Sequence, residues 1–476
     1  MIFSNIYSKL PSAFYTKMSA EGFAKQPTLI AFNKKVAQLI ELNHSDYPKL
    51  ADYLAGNKNF IGSDPLAMVY AGHQFGVWVP QLGDGRALLI GQIKNKHNKR
   101  FDIQLKGSGI TPYSRFADGR AVLRSTIREY LCAEMMAGLG IPTSRSLAII
   151  KTGDKVRRES WEDGAILTRI TTSHIRFGHI EFFCHNKQEN YVKILLDHII
   201  QNYLPQYKNV KQPYHDLLSW VVDKTATLIA QWQVVGFCHG VMNTDNMSIL
   251  AETIDYGPFG FLEEYNPRHI CNHSDDMGRY SFQNQPSIAW WNLYALAVAM
   301  KSQIDQKDAE AIVKPFITKF EDNFYHLMAK KLGLITTKKK CNASRQLILD
   351  WLTILENNKA DYHLSHLLLN ENITMLYKNN LFDHDAGKIF LKKYQAMLGD
   401  TPDNLRHTNM KKINPTFILR NWVAQVAIEE AEKENYQPLN DILQLCQDPF
   451  VVNEKQKKFS TSTPAKYQNL SISCSS

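Results

Sequence analysis

A chain of 476 residues, 44% hydrophobic and 21% charged, has ordinary globular composition and enough length for a core shared between two lobes. It carries no run of about 18 apolar residues, which argues against a transmembrane helix, and its net charge of +9 comes without a dense basic tract beside aromatic residues, so no nucleic-acid partner is indicated. Seven scattered cysteines form no C-x-x-C pair, which disfavours a zinc finger or thioredoxin-type site and suits a reducing compartment. The opening stretch, Met1–Met18, has scattered hydrophobics rather than a basic run and an apolar block, and reads poorly as a signal peptide. The expected species is a cytoplasmic monomer with no membrane partner.

Residues 1–70 read as an N-terminal extension with short helical patterns at Ala31–Leu42 and Tyr47–Leu54. From 71 to 185 the texture becomes β-rich, with strand-like runs at Ala87–Ile93, Phe101–Leu105, Leu147–Lys151 and Ala165–Ile170. One helix interrupts them over Arg120–Leu139, stopped by Gly138-Leu139-Gly140-Ile141-Pro142. Residues 186–452 are mainly helical, with apolar residues at helical spacing in Tyr214–Val235, Ile288–Met300, Ala309–Leu332, Ser344–Leu355 and Pro415–Lys433. Inside this part, 236–278 combines strand character with unusual polar residues. Residues 453–476, which include Cys474, read as a polar, flexible tail, and Lys338-Lys339-Lys340 as a solvated loop between helices. A β-rich front and a helical back predict an α+β protein of two lobes, with the active site in the cleft between them.

Chemistry-bearing residues occur in a telling order. Gly83-Asp84-Gly85-Arg86 is a tight turn that suits an anion but equally suits a turn between strands. Lys106 ends an alternating strand, and Glu129 stands on the next helix among Leu123, Ile127, Tyr130 and Leu131. Protein kinases hold a phosphate-binding strand lysine with a helix glutamate in this order. Arg169 and Arg176 lie among small hydroxyl residues and resemble a phosphate clamp, with surface ion pairing as the alternative. In His239-Gly240-Val241-Met242-Asn243-Thr244-Asp245-Asn246 an asparagine falls seven places after a histidine, as in the kinase catalytic loop, and Asp255-Tyr256-Gly257 stands where kinases carry Asp-Phe-Gly. Asn246 and Asp255 therefore read as oxygen ligands for Mg²⁺. The kinase base would fall at Val241, which cannot accept a proton, leaving Asp245 as the nearby carboxylate able to serve.

These residues, together with Tyr70–Gly76, Lys106–Arg115, Asp118–Ala121, Asn243–Asn246, Asp255–Pro258 and Ile270–Asp275, resemble the selenoprotein-O (YdiU) family of kinase-like protein adenylyltransferases nearly end to end. The resemblance implies a protein-kinase-like fold with ATP bound in reversed orientation. It also implies transfer of AMP to a Ser, Thr or Tyr hydroxyl of a protein substrate, with release of pyrophosphate. By motif match, Gly83, Gly85, Arg86, Lys106, Asp118, Gly119, Arg169 and Arg176 would contact ATP, supported by Glu129; Asn246 and Asp255 would hold Mg²⁺; Asp245 would take the proton. Some family members are linked to UMP transfer with Mn²⁺, which leaves nucleotide choice open. The family's terminal cysteine corresponds to Cys474, for which a regulatory disulfide to Cys271 is one hypothesis and two free thiols the other.

A grouping of His269, Cys271, His273, Asp275 and Asp276 lacks a second half at zinc-ligand spacing and reads as loop polar groups, and Trp290-Trp291 reads as core packing. Two competing readings stay open: a kinase-like phosphotransferase using Asp245 as an unusual base, and a non-catalytic ATP-binding scaffold.

Overall fold

A computed structural model describes residues 1–23, 25–334, 338–371, 373–468, 470 and 472. Its strands are β1 (Tyr15–Lys17), β2 (Thr28–Phe32), β3 (Leu66–Met68), β4 (Gly72–Gln74), β5 (Val77–Val79), β6 (Ala87–Lys94), β7 (Arg100–Lys106), β8 (Ala121–Val122), β9 (Arg145–Arg157), β10 (Trp161–Thr171), β11 (Phe237–Cys238) and β12 (Gly260–Phe261). Eight of them form one antiparallel sheet in the order β1-β3-β6-β7-β10-β9-β2, with β8 added on β10. The short hairpin β4–β5 and the pair β11–β12 stand apart from it. The protein is thus of mixed α and β structure, with an antiparallel sheet and many helices.

Strand alternation gives the sheet two unlike faces. In β7, Ile103 and Leu105 point to a core with Ile166 and Ile170 of β10, covered by Val36, Ile40, Leu50 and Leu54. These covering residues come from the first 70 residues, around α1 (Lys34–Leu39) and α2 (Leu50–Leu54). That segment, set apart in sequence as an extension, is built into the sheet: it supplies three strands and the cover of one face. The expected Ala31–Leu42 helix is shorter, because β-branched and aromatic residues at 28–32 pair with β9 and Asn33 then caps α1 by accepting from Val36 N.

The opposite face meets α3 (Leu123–Gly138), whose Ile127, Tyr130, Leu131 and Met135 are fully buried. β8 takes the two residues before it, so the helix starts at Leu123 rather than Arg120. The helical part follows with α4 (Phe177–His185), α5 (Glu189–Tyr203), α6 (Pro213–Val234) and α7 (Gln285–Ala299). Between α6 and α7 the chain runs as loops, with β11, β12 and 3₁₀ turns at Thr244–Asn246 and Phe282–Asn284. Among the described residues, no helix is long and apolar enough to cross a membrane.

Three further expectations need correction. The expected helix 309–332 is two, Gln306–Val313 and Phe316–Lys331, broken at Pro315, which has no N–H for a ladder bond. Lys338-Lys339-Lys340 opens a helix, Lys338–Asn357, rather than forming a loop. The described part of the tail is anchored rather than free: Phe459 and Tyr467 are buried against Trp422, and the Tyr467 hydroxyl donates to Glu429 at 2.9 Å. Its sequence is polar, but two aromatic anchors suffice to dock it.

Candidate active site

A cleft of about 650 Å³ opens where the ends of β6, β7 and β10 face the loops of 241–258. Gly83, Gly85, Arg86, Lys106, Asp118, Arg169, Arg176, Asp245, Asn246 and Asp255 all line it. Two expected contacts lie elsewhere. Gly119 is buried behind the lining with φ 66°, where an added Cβ would fall 2.2 Å from the Gly109 carbonyl. Glu129 is 1% exposed and sits beneath the floor.

The strand register explains how the floor is built. Arg169 of β10 is paired with Gln104 of β7, and Lys106 is two residues further on the same face. Both cations therefore point toward α3, where Glu129 receives them: Lys106 Nζ lies 2.5 Å from Oε2 and Arg169 Nε 2.6 Å from Oε1. Arg169 also donates to Gln104 Oε1 at 3.1 Å and reaches forward to Asp255 Oδ1 at 2.5 Å. Arg176, at the N-terminal boundary of α4, donates to the other Asp255 oxygen and, at 2.7 Å, to the Asp245 carbonyl. The result is a continuous chain of charges from Lys106 through Glu129, Arg169 and Asp255 to Arg176.

Electrostatics follow from burial and these partners. Burial alone would raise Asp255, but Arg169 and Arg176 outweigh it and hold the carboxyl well below its usual range. Glu129 is likewise lowered, burial being overcome by Arg169 and Lys106. Lys106 is pushed down to about 8 by burial, against the pull of Glu129. Asp245 has the opposite fate. Burial lifts it to about 7 despite Arg176, its Oδ2 has only a 3.4 Å contact from Gln74 Nε2, and its buried Oδ1 has no partner. Asn246 donates its amide nitrogen to Val241 O at 3.0 Å, which commits that end and leaves the amide oxygen as its free acceptor.

The hairpin β4–β5 was legible only as part of a motif, yet it clamps the loop that carries Asp245. His73 N donates to Thr244 Oγ1 at 2.7 Å, and Phe75 N donates to Asn243 Oδ1 at 3.3 Å and to the Tyr280 hydroxyl at 2.8 Å. At Gly72 an added Cβ would stand 2.8 Å from Asp245 Oδ1, so only glycine allows this approach. Sequence reasoning also missed Arg120 and Arg158, which line the cleft; Arg158 binds Asp118 at 2.7 Å and 3.1 Å and so fixes its carboxylate. No spacing signal links residues forty positions apart on an irregular loop and a strand end.

The weaker groupings resolve differently. Asp275 accepts from the backbone N of Arg279 and Tyr280, at 2.9 Å and 2.7 Å, and Cys271 lies against the Cys238 carbonyl. Cys474 lies outside the described residues, so the disulfide hypothesis is not addressed; Ile472 O accepts from His273 N at 3.1 Å. Trp290 and Trp291, expected in core packing, are both half-buried; Trp290 packs against the main apolar core, and Trp291 against His73.

An α+β protein with an antiparallel sheet and a charged cleft of this form has full-length relatives. Residues 1–447 match the family described as "Protein adenylyltransferase SelO". "Protein nucleotidyltransferase YdiU" of Myxococcus xanthus (strain DK1622) is 42% identical over 484 residues, which cover 100% of this chain and 98% of that protein. The proteins of the same name from Vibrio vulnificus (strain YJ016) and Pseudomonas putida (strain GB-1) are 42% and 40% identical, again over 100% of this chain and 98% of their own length. The chain belongs to the SelO family.

Proposed function

We propose that this chain is a nucleotidyltransferase with a kinase-like, two-lobed fold that moves AMP from ATP to a Ser, Thr or Tyr hydroxyl of a protein and releases pyrophosphate. The observation that carries the reading is the position of Arg176, whose one nitrogen touches both the Asp255 carboxylate and the Asp245 main chain. It sets a fully ionised carboxylate and a raised one, whose Oδ1 has no hydrogen-bond partner, beside each other at the inner end of a cationic cleft. The first has the character of a metal ligand and the second of a proton acceptor.

The cleft suits a polyphosphate on charge grounds. Arg86, Lys106, Arg169 and Arg176 outnumber the ionised Glu129 and Asp255, so an anion improves the balance. Asp118, fixed by Arg158, and the Gly83–Gly85 turn form the outer part, where the rest of the nucleotide would lie.

The donor set fits Mg²⁺ at one place. Asn246 offers its free amide oxygen and Asp255 an ionised carboxylate, and hard oxygen ligands of this kind suit magnesium or manganese. Bound there, the ion would neutralise charge on the phosphate oxygens and orient the triphosphate. Lys106, Arg169 and Arg176 would fix the nucleotide for in-line attack. The acceptor hydroxyl oxygen forms a bond to the α-phosphorus, its proton passes to Asp245, and the bond to the bridging oxygen breaks with pyrophosphate leaving. Val241 lines the cleft where a kinase would carry its base, which supports a reaction at a phosphorus other than the terminal one.

ATP labelled on the α- or the γ-phosphate tests the reading with Mg²⁺ present. Protein label from the α-phosphate alone supports nucleotidyl transfer. Label from the γ-phosphate alone makes the chain a phosphotransferase, and α-labelled UTP with Mn²⁺ tests uridylyl transfer in the same cleft.

A further inference from the structure

Among the described residues, one group of three His, Cys, Asp or Glu side chains brings its ligand atoms within 4.8 Å of one another: His73, Glu181 and His185. It lies outside the cleft lining. His73 comes from β4, while Glu181 and His185 share one face of α4, four residues apart. Glu181 is 1% exposed, and its Oε1 meets His73 Nδ1 at 2.7 Å. Its other oxygen, Oε2, is buried and has no hydrogen-bond partner. A buried carboxylate oxygen left unpaired is costly, and native structures leave few without a ligand, water or ion. The His185 ring is held flat against Trp78 at 3.8 Å between centroids, and Trp291 edges His73 at 5.1 Å, so aromatic walls orient both imidazoles.

We infer that His73, Glu181 and His185 form a binding site for one transition-metal dication of the zinc class, separate from the Asn246–Asp255 site. Two imidazoles and a carboxylate suit zinc and its neighbours rather than magnesium, and three protein ligands leave a fourth position for water on the exposed side of His185. The ion replaces the proton between His73 and Glu181. Ligand bonds of about 2 Å then ask those two atoms to part by only a fraction of an ångström, within reach of small side-chain rotations. The same hairpin holds Asn243 and Thr244, so the ion would pin the support of the Asp245 loop to α4, which Arg176 directly precedes.

The test uses the full-length, untagged protein, stripped with a chelator and titrated with Zn²⁺ by calorimetry in excess Mg²⁺. The expected result is one tight site per chain and a rise in melting temperature with Zn²⁺. His185→Ala, at an exposed position, and Glu181→Gln should each weaken that site by about 100-fold or more, beyond the loss typical of an outer-shell change. Asn246→Ala, which removes the magnesium-type ligand, should leave it intact. Co²⁺ in place of Zn²⁺ should give visible bands that vanish in His185→Ala. Absence of a tight site in the wild type, or equal affinity in wild type and His185→Ala, would overturn the inference; so would loss of the site in Asn246→Ala.

Discussion

Arg169 and Glu129 are joined at 2.6 Å inside the protein, on a carboxylate whose second oxygen is taken by Lys106 at 2.5 Å. One helix residue thus balances two strand cations, and none of the three is accessible enough for water to do the same. Glu129→Gln keeps the shape and removes the charge. Breaking a buried pair from one side typically costs about 3–5 kcal/mol, because the remaining charges stay uncompensated. The expected outcome is a destabilisation of that order by urea denaturation, with ATP affinity lowered at least about tenfold as Lys106 loses its position.

Asp255 is the complementary case, since two arginines claim its oxygens. Asp255→Ala is expected to abolish transfer, as it removes a proposed metal ligand and releases both guanidiniums. ATP added in excess should restore part of the lost thermal stability, because phosphates can pair with the freed arginines. Retention of more than half of the wild-type rate would reject the assignment.

The buried Asp245 side chain accepts one long hydrogen bond, from Gln74 at 3.4 Å, so its replacement should separate chemistry from binding. Asp245→Asn is expected to slow transfer by roughly 10²–10⁴-fold, the usual span for a general base, with ATP affinity nearly unchanged. Nucleotide titration and single-turnover rates measure the two effects independently. A comparable loss of ATP affinity would show that Asp245 supports the loop rather than accepting a proton.

Much of this arrangement was legible in the sequence for a physical reason. Lys106 and Arg169 lie near strand ends, Glu129 on a helix with a clear apolar period, and Asp245, Asn246 and Asp255 in short motifs, where periodicity and residue type carry information. The β4–β5 clamp was not readable, because its hold on Asn243 and Thr244 spans about 170 residues and acts partly through backbone N–H groups. The strands of the first 70 residues were obscured likewise: β1 and β3 are three residues each, too short for alternation to show. The motif match led to the expectation that Gly119 contacts ATP; it lies outside the cleft lining, and its φ of 66° and its approach to Gly109 show a steric need for glycine at that turn.

Lys331 carries a pH dependence that no motif announced. It ends the helix Phe316–Lys331, is 2% exposed, and has the Tyr362 ring 5.8 Å from its ammonium. Burial pushes it down to about 7, whereas in the unfolded chain it titrates near 10.4. Between those values the unfolded state holds a proton that the native state lacks, so stability rises with pH across that window. Below about 7 both states are protonated, the native state bears the full burial penalty, and the slope from this group vanishes. The difference in proton affinity between the two states corresponds to roughly 5 kcal/mol. Lys331→Met, of similar length and without charge, is therefore expected to stabilise the protein at pH 7 by a few kcal/mol and by less at pH 10. Urea midpoints of wild type and variant at the two pH values measure the difference, from which other titrating groups cancel. An equal gap at both pH values would mean that the ammonium is solvated in the native state.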